Sequence, residues 1–95
     1  MFTLTHQAHE AVRQISSSGT TAEVPGLRIS RRSDRPTFAV RRAAAPQEMD
    51  RVVEHDGARV FLAPIAALRF ADSVLDVRTD QTGRLEFIVR DHDDD

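Results

Sequence analysis

Not one of the 95 residues is cysteine, which excludes a disulfide staple, a thiolate metal site and a thiol nucleophile. Tryptophan, tyrosine and lysine are also missing, so all thirteen basic residues are arginine. GC-rich codons would produce that bias, and so would a surface that uses the planar guanidinium fork. Glycine occurs four times, at positions 19, 26, 57 and 83, always in a turn setting and never as G-x-G-x-x-G or a phosphate loop. No long apolar run exists. The longest, Val60 to Leu68, contains Pro64 and falls far short of the ~18 residues that a membrane span needs. Met1 to Gln7 has no basic n-region of the kind that opens a secretory signal, so a soluble cytoplasmic domain is expected. Nor does one sign of charge dominate. Thirteen basic against fifteen acidic residues leave a net charge of -2, which excludes nucleic-acid binding driven by bulk charge.

What is present suits one small globular domain: 10.6 kDa, 40% apolar and 29% charged residues. Leu4, Ala8, Ala11, Val12 and Ile15 recur at helical spacing, predicting an amphipathic helix over residues 5–17 with Thr5 as N-cap. From Gly26 the period becomes two. Leu27 and Ile29 mark one strand and Phe38 and Val40 the next, across turn chemistry at Ser33-Asp34-Arg35-Pro36. Val52-Val53 and Val60-Phe61-Leu62 flank Asp56-Gly57, a type I′ hairpin signal. Pro64 starts a short helix with Ile65, Leu68 and Phe70 expected inward. Residues 74–79 and 84–90 form a last strand pair. The predicted fold class is α+β, with one domain over residues 1–90 and a disordered acidic tail over 91–95. The expected core is Leu4, Val12, Ile15, Leu27, Ile29, Phe38, Val40, Val60, Leu62, Leu68, Leu75, Val77, Leu85 and Phe87.

Catalytic patterns are absent: Ser, His and Asp occur without a nucleophile elbow, so no enzyme is expected. Of the histidines, His6 and His9 fall off the apolar stripe and are expected in solvent. At i, i+3 they could chelate only weakly, with no third ligand placed by the sequence. His55 precedes a tight turn, and His92 sits in the acidic tail. The densest charge lies between Arg28 and Arg42, where six arginines and one acid give +5 and leave -7 for the rest of the chain. Arg28, Arg31, Arg32, Arg35, Arg41 and Arg42 are therefore the candidate interaction surface. It can be a solvated hairpin with arginine stems over apolar edges. It can also dock an acidic protein partner, or the chain's own tail. Nucleic acid is disfavoured, because the one aromatic in the stretch, Phe38, belongs to the core.

From Val52 a longer pattern appears. Val52-Val53-Glu54-His55-Asp56-Gly57-Ala58-Arg59-Val60-Phe61-Leu62-Ala63-Pro64, then Leu68, Ser73-Val74-Leu75-Asp76-Val77 and Gly83-Arg84-Leu85-Glu86-Phe87, resembles the HesB/IscA-like (A-type) iron–sulfur biogenesis family. The opening Leu4-Thr5 helix and Gly26-Leu27-Arg28-Ile29 extend the likeness over residues 2–90. The resemblance implies two small, mostly antiparallel or mixed β-sheets with the N-terminal helix alongside, and carriers that hold a cluster, often between two subunits. It also implies one cysteine after the first strand and a Cys-Gly-Cys near the C-terminus. Here the first would fall near Arg35 to Thr37, closest to Pro36, and the pair beyond Val89, where the chain reads Arg90-Asp91-His92. No cluster ligand carries over. The expectation is a cysteine-free accessory or protein-interaction module of that family, without cofactor, with protein partners and with homodimers allowed. The alternative is iron or another divalent metal held through His and carboxylates.

Overall fold

Thr5 takes an extended conformation and its hydroxyl accepts the Ala8 N–H at 3.2 Å, which caps helix α1 over His6–Ser16. The helix buries Ala8, Val12 and Ser16, successive i+4 positions on one face. The molecule is seen in a computed structural model that describes residues 2–17, 24–31 and 38–91. The expected stop at Gly19, the Ser33–Pro36 turn and residues 92–95 of the expected 91–95 tail lie outside the described residues, while the backbone of Asp91 pairs with Ser73 and so belongs to the last strand rather than to a tail.

Around α1 the chain lays down β1 (Thr3–Leu4), β2 (Gly26–Arg31), β3 (Phe38–Ala43), β4 (Arg51–His55), β5 (Ala58–Leu62), helix α2 (Pro64–Arg69), β6 (Ser73–Thr79) and β7 (Leu85–Asp91). They form a three-stranded sheet, β1-β6-β7, and a four-stranded sheet, β3-β2-β5-β4. Both sheets are mixed: β1 runs parallel to β6 and β2 parallel to β5, while the three hairpin pairs are antiparallel. The Asp56-Gly57 turn has φ of 48° and 85°, the left-handed pair that a type I′ hairpin needs. The α+β expectation holds, with β1 as the element that its two-residue length hid.

The parallel β2–β5 register sets Leu27 beside Val60 and Ile29 beside Leu62, and all four are buried with Val12, Ala66, Leu75 and Phe70. Leu4, Ile15, Phe38, Val40, Phe87 and Val89 are partly buried against that core. Phe38 meets Phe70 edge-on, with ring centroids 4.7 Å apart.

Three residues expected to face inward are exposed. Leu68 is 82% exposed and Ile65 49% exposed, because Pro64 sets the phase of α2 so that Ala66 and Phe70 face inward. Leu85 is 59% exposed, at the start of an edge strand. Phe87 is only half-buried, so its removal costs less than that of a sealed aromatic.

Phe61 is the largest fully buried side chain that the expected core leaves out. Alternation turns Phe61 away from the helices, yet it is fully buried on the other face of the four-stranded sheet. Its ring covers Gly26, where a Cβ would come within 2.8 Å of the ring and 2.7 Å of the Arg59 carbonyl. Only glycine fits under that ring.

Candidate functional site

The two-residue period that builds β2 and β3 also divides the arginines. Arg28 stands opposite Arg41, on the Phe61 face of the sheet. Arg31 and Arg42 fall on the other face and are exposed, with Arg31 opposite Phe38 and Arg42 opposite Leu27. Arg32 and Arg35 lie outside the described residues. Of the described arginines of the candidate surface, Arg28 and Arg41 are thus brought together, whereas Arg31 and Arg42 sit toward opposite ends of the β2–β3 ladder on the other face.

Arg28 is further committed. Its Nε donates to Asp50 Oδ2 at 2.8 Å and its Nη2 to Oδ1 at 3.0 Å, a bidentate fork. The Asp50 side chain is 1% exposed and also accepts the Gln47 N–H at 2.9 Å. The guanidinium's hydrogen bonds hold the Asp50 carboxyl below its ordinary pKa, against the opposing effect of burial. Two like charges directly across a strand pair repel. Asp50 relieves that repulsion between Arg28 and Arg41.

A second bracket was hidden in the sequence because its partners are backbone atoms. Arg59 donates from Nε to the Pro25 carbonyl at 2.9 Å and from Nη2 to the Ser16 carbonyl at 2.7 Å. Its own backbone N–H donates to Ser16 Oγ at 2.9 Å, while that hydroxyl donates to the Val12 carbonyl at 2.8 Å. The end of α1 leaves carbonyls without helical donors, and Arg59 supplies one and ties the helix to the entry of β2. Arg59 Nη1 reaches Glu54 at 3.3 Å on the exposed side.

Between the edges of the two sheets lies a cleft of about 520 Å³, with Phe2, Leu4, Val53, Leu62 and Ala67 among its apolar lining and Arg51, Glu54 and His55 at β4. Beside it a hollow of about 380 Å³ gathers His6, His9, Glu10, His55 and Asp56. His9 does not stand in solvent as its helical phase predicts: its side chain is 17% exposed, because the β4–β5 turn folds against α1. His9 Nε2 lies 2.9 Å from the His55 carbonyl. A carbonyl can only accept, so Nε2 carries the proton. The two imidazoles meet edge-on at 5.6 Å. His6 is exposed, as its helical phase predicts, and so is His55. Among the described residues no three His, Asp or Glu side chains are placed to hold one metal ion.

Carboxylates elsewhere are held ionised by local donors. The Thr5 hydroxyl donates to Asp76 at 2.8 Å, followed by the Val77 N–H, and both lower the Asp76 pKa. At the β6–β7 turn the Thr82 hydroxyl and the Arg84 N–H do the same to Asp80. With Asp50 these groups have folded pKa values below the ordinary 3.8. Protons therefore bind the unfolded chain first, and stability from these groups is complete above the ordinary value and lost as pH falls through the depressed ones. Thermal midpoints should be flat from about pH 7 to 5 and fall steeply below about pH 4. A midpoint that declines between pH 7 and 5 would assign the acid sensitivity to other groups.

Neither a protein-family model nor a curated protein matches the sequence. Solved structures do. The chain is similar to Escherichia coli SufA, a protein involved in biosynthesis of iron–sulfur clusters, with a TM-score of 0.71 and 24% identity over 95% of this chain and 84% of SufA. It is also similar to IscA, solved with a [2Fe-2S] cluster, with a TM-score of 0.66 and 21% identity over 97% of this chain and 86% of that one. The two-sheet fold is that of these A-type proteins.

Proposed function

On this A-type fold without a thiolate, we propose that the chain is an accessory, protein-binding module of iron–sulfur biogenesis that holds no cluster itself. The observation that carries the reading is chemical: the fold matches proteins of cluster biosynthesis, and the sequence has no cysteine. Iron–sulfur clusters are held by thiolates, and even Rieske-type centres keep two. The residues present do not fit such a group. Where the resemblance sets ligands, the described part of the chain offers Arg90 and then Asp91, which are no soft donors.

A module of this kind works by contact. It presents exposed arginines at Arg31, Arg41 and Arg42 and an apolar cleft beside the β4 edge, features that suit a protein partner with acidic and apolar side chains. Among the described residues no helix is long and apolar enough to cross a membrane.

Anaerobic reconstitution with iron and sulfide, followed by desalting and visible absorption, tests the reading. The expected spectrum is featureless and the retained iron substoichiometric. A stable, stoichiometric brown chromophore would overturn it. The companion measurement is binding to a purified cluster-carrying protein of this fold, expected to weaken as salt screens the arginine contacts.

A further inference from the structure

β4 is the outer strand of the four-stranded sheet, and its free edge runs along the cleft of about 520 Å³. That volume is in the range of ligand pockets. No proline, lysine or glycine blunts the strand between Arg51 and His55.

The β4–β5 turn fixes which backbone groups of β4 are free. A type I′ turn at Asp56-Gly57 makes His55 and Ala58 the closing pair, which exchange both backbone bonds. Bonded pairs then alternate along the ladder, so Val53 and Arg51 also bond toward β5. Val52 and Glu54 aim their N–H and C=O groups outward, away from the sheet. Just before the strand, the Asp50 N–H is already used, donating to the Gln47 carbonyl at 3.0 Å. Outward donors and acceptors on alternate residues are what an added strand takes up.

The side chains divide by the same period. Arg51 and Val53 stand opposite Leu62 and Val60 and share their face, which borders the cleft. Val53 is half-buried there above the apolar lining of Phe2, Leu4, Leu62 and Ala67. Arg51 is exposed and forms no ion pair among the described residues. Val52 and Glu54 stand on the Phe61 face. Val52 is 48% exposed, and the Glu54 side chain is 55% exposed despite its 3.3 Å contact with Arg59.

We propose that this edge binds an extended segment of a different protein, added antiparallel to β4 as a fifth strand of the sheet. The proposal rests on the protein-binding reading above and supplies its mode and residue pattern. The segment's residues opposite Glu54 and Val52 each exchange two backbone hydrogen bonds with β4. The residue between them, opposite Val53, puts a large aliphatic side chain into the cleft. Charge sets the ends: a base opposite Glu54 and an acid opposite Arg51. From N- to C-terminus the segment therefore reads basic, large aliphatic, apolar, acidic. The β4 strand of a second copy does not supply this. Antiparallel pairing centred on Val52 sets Glu54 against Asp50, centring on Glu54 sets acid on acid, and centring on Val53 sets Arg51 against His55.

The probe is a fluorophore-labelled peptide, Thr-Lys-Ile-Val-Glu-Thr-amide, titrated with the full chain at low salt and read by anisotropy. Saturable binding is expected, with a Kd below about 1 mM. N-methylation of the peptide then reports backbone register without touching the protein's fold. A methyl on the lysine or valine nitrogen, which donates to β4, should weaken binding about tenfold. On the isoleucine nitrogen, which points away from β4, it should change the affinity by no more than about twofold. Arg51→Glu, at an exposed position, should weaken the parent peptide about fivefold, and a peptide with lysine in place of its glutamate should recover most of that loss. Absence of saturation below about 1 mM, or a charge swap that fails to recover, would overturn the proposal. Equal sensitivity at all three nitrogens would reduce the site to an apolar pocket, and apparent affinity that falls as total protein rises would make a second copy the occupant; either overturns strand addition. A chain that ignores the peptide yet binds a cluster-carrying protein would lose this site and keep its accessory role, whereas cluster uptake on reconstitution would strike that role whatever the peptide does.

Discussion

Phe61→Ala should unfold much of this domain's stability margin, lowering it by about 3–5 kcal/mol. Phe61 is among the largest side chains that are completely buried. Its loss leaves a cavity on the face of the four-stranded sheet away from α1, where Gly26 contributes no side chain to collapse into the space. A domain of this size has only about 5–10 kcal/mol in hand, so the thermal midpoint should fall by well over about 10 °C. Phe87→Ala is the comparison. Phe87 is half-buried at an edge strand, and its removal should cost less than half as much in denaturant titration. Equal losses for the two would mean that the Phe61 face collapses around the cavity. Gly26→Ala probes the same contact from below and should destabilise by about 1–3 kcal/mol through overpacking.

Periodicity explains both what was legible and what was not. Thr5, the stripe through Val12, the alternation of Leu27 with Ile29 and the Asp56-Gly57 turn are local signals, and each lands where the sequence places it. Phe61 was missed because a strand buried on both faces reads the same as one buried on one, with Val60-Phe61-Leu62 continuous. Leu68 was misplaced because a six-residue helix has too few turns for its phase to show. Parallel pairing of β1 with β6 and β2 with β5 joins segments far apart in sequence, and no local pattern announces it. The family resemblance implies mixed sheets, and the structural likeness to SufA and IscA bears out that fold. The candidate surface was legible in composition but not in geometry. Six arginines within fifteen residues are visible in the sequence. That β-alternation sends Arg28 and Arg31 to opposite faces follows only once the strand is fixed, and that Asp50 claims Arg28 follows only from the fold.

Asp50's claim on Arg28 makes the same hairpin both a charged surface and a structural element, and substitution separates the two. Arg28→Ala strips the guanidinium fork from the Asp50 carboxylate, whose side chain is 1% exposed in the intact protein, and leaves it the Gln47 N–H at 2.9 Å. Removing one member of a buried pair costs about 3–5 kcal/mol, much of it the penalty of a stranded charge. Replacing both members by apolar side chains, as in Arg28→Met with Asp50→Leu, should recover most of that loss, since desolvation of the pair offsets much of its attraction. Arg41→Ala, at an exposed position on the same face, should change stability by no more than about 0.5 kcal/mol and should relieve some repulsion. Salt distinguishes them further. A buried bidentate pair is screened little, so the Arg28→Ala deficit should persist from low to high ionic strength, whereas binding that depends on Arg31, Arg41 and Arg42 should fade. The deficit should shrink in acid, because Asp50 is the group whose pKa the guanidinium holds down, and below its folded pKa wild type and variant both carry a neutral carboxyl. Urea midpoints of the two proteins converging below about pH 4 would establish Asp50 as the residue Arg28 serves. A deficit unchanged by pH would place the role of Arg28 in packing of its aliphatic stem over the sheet instead.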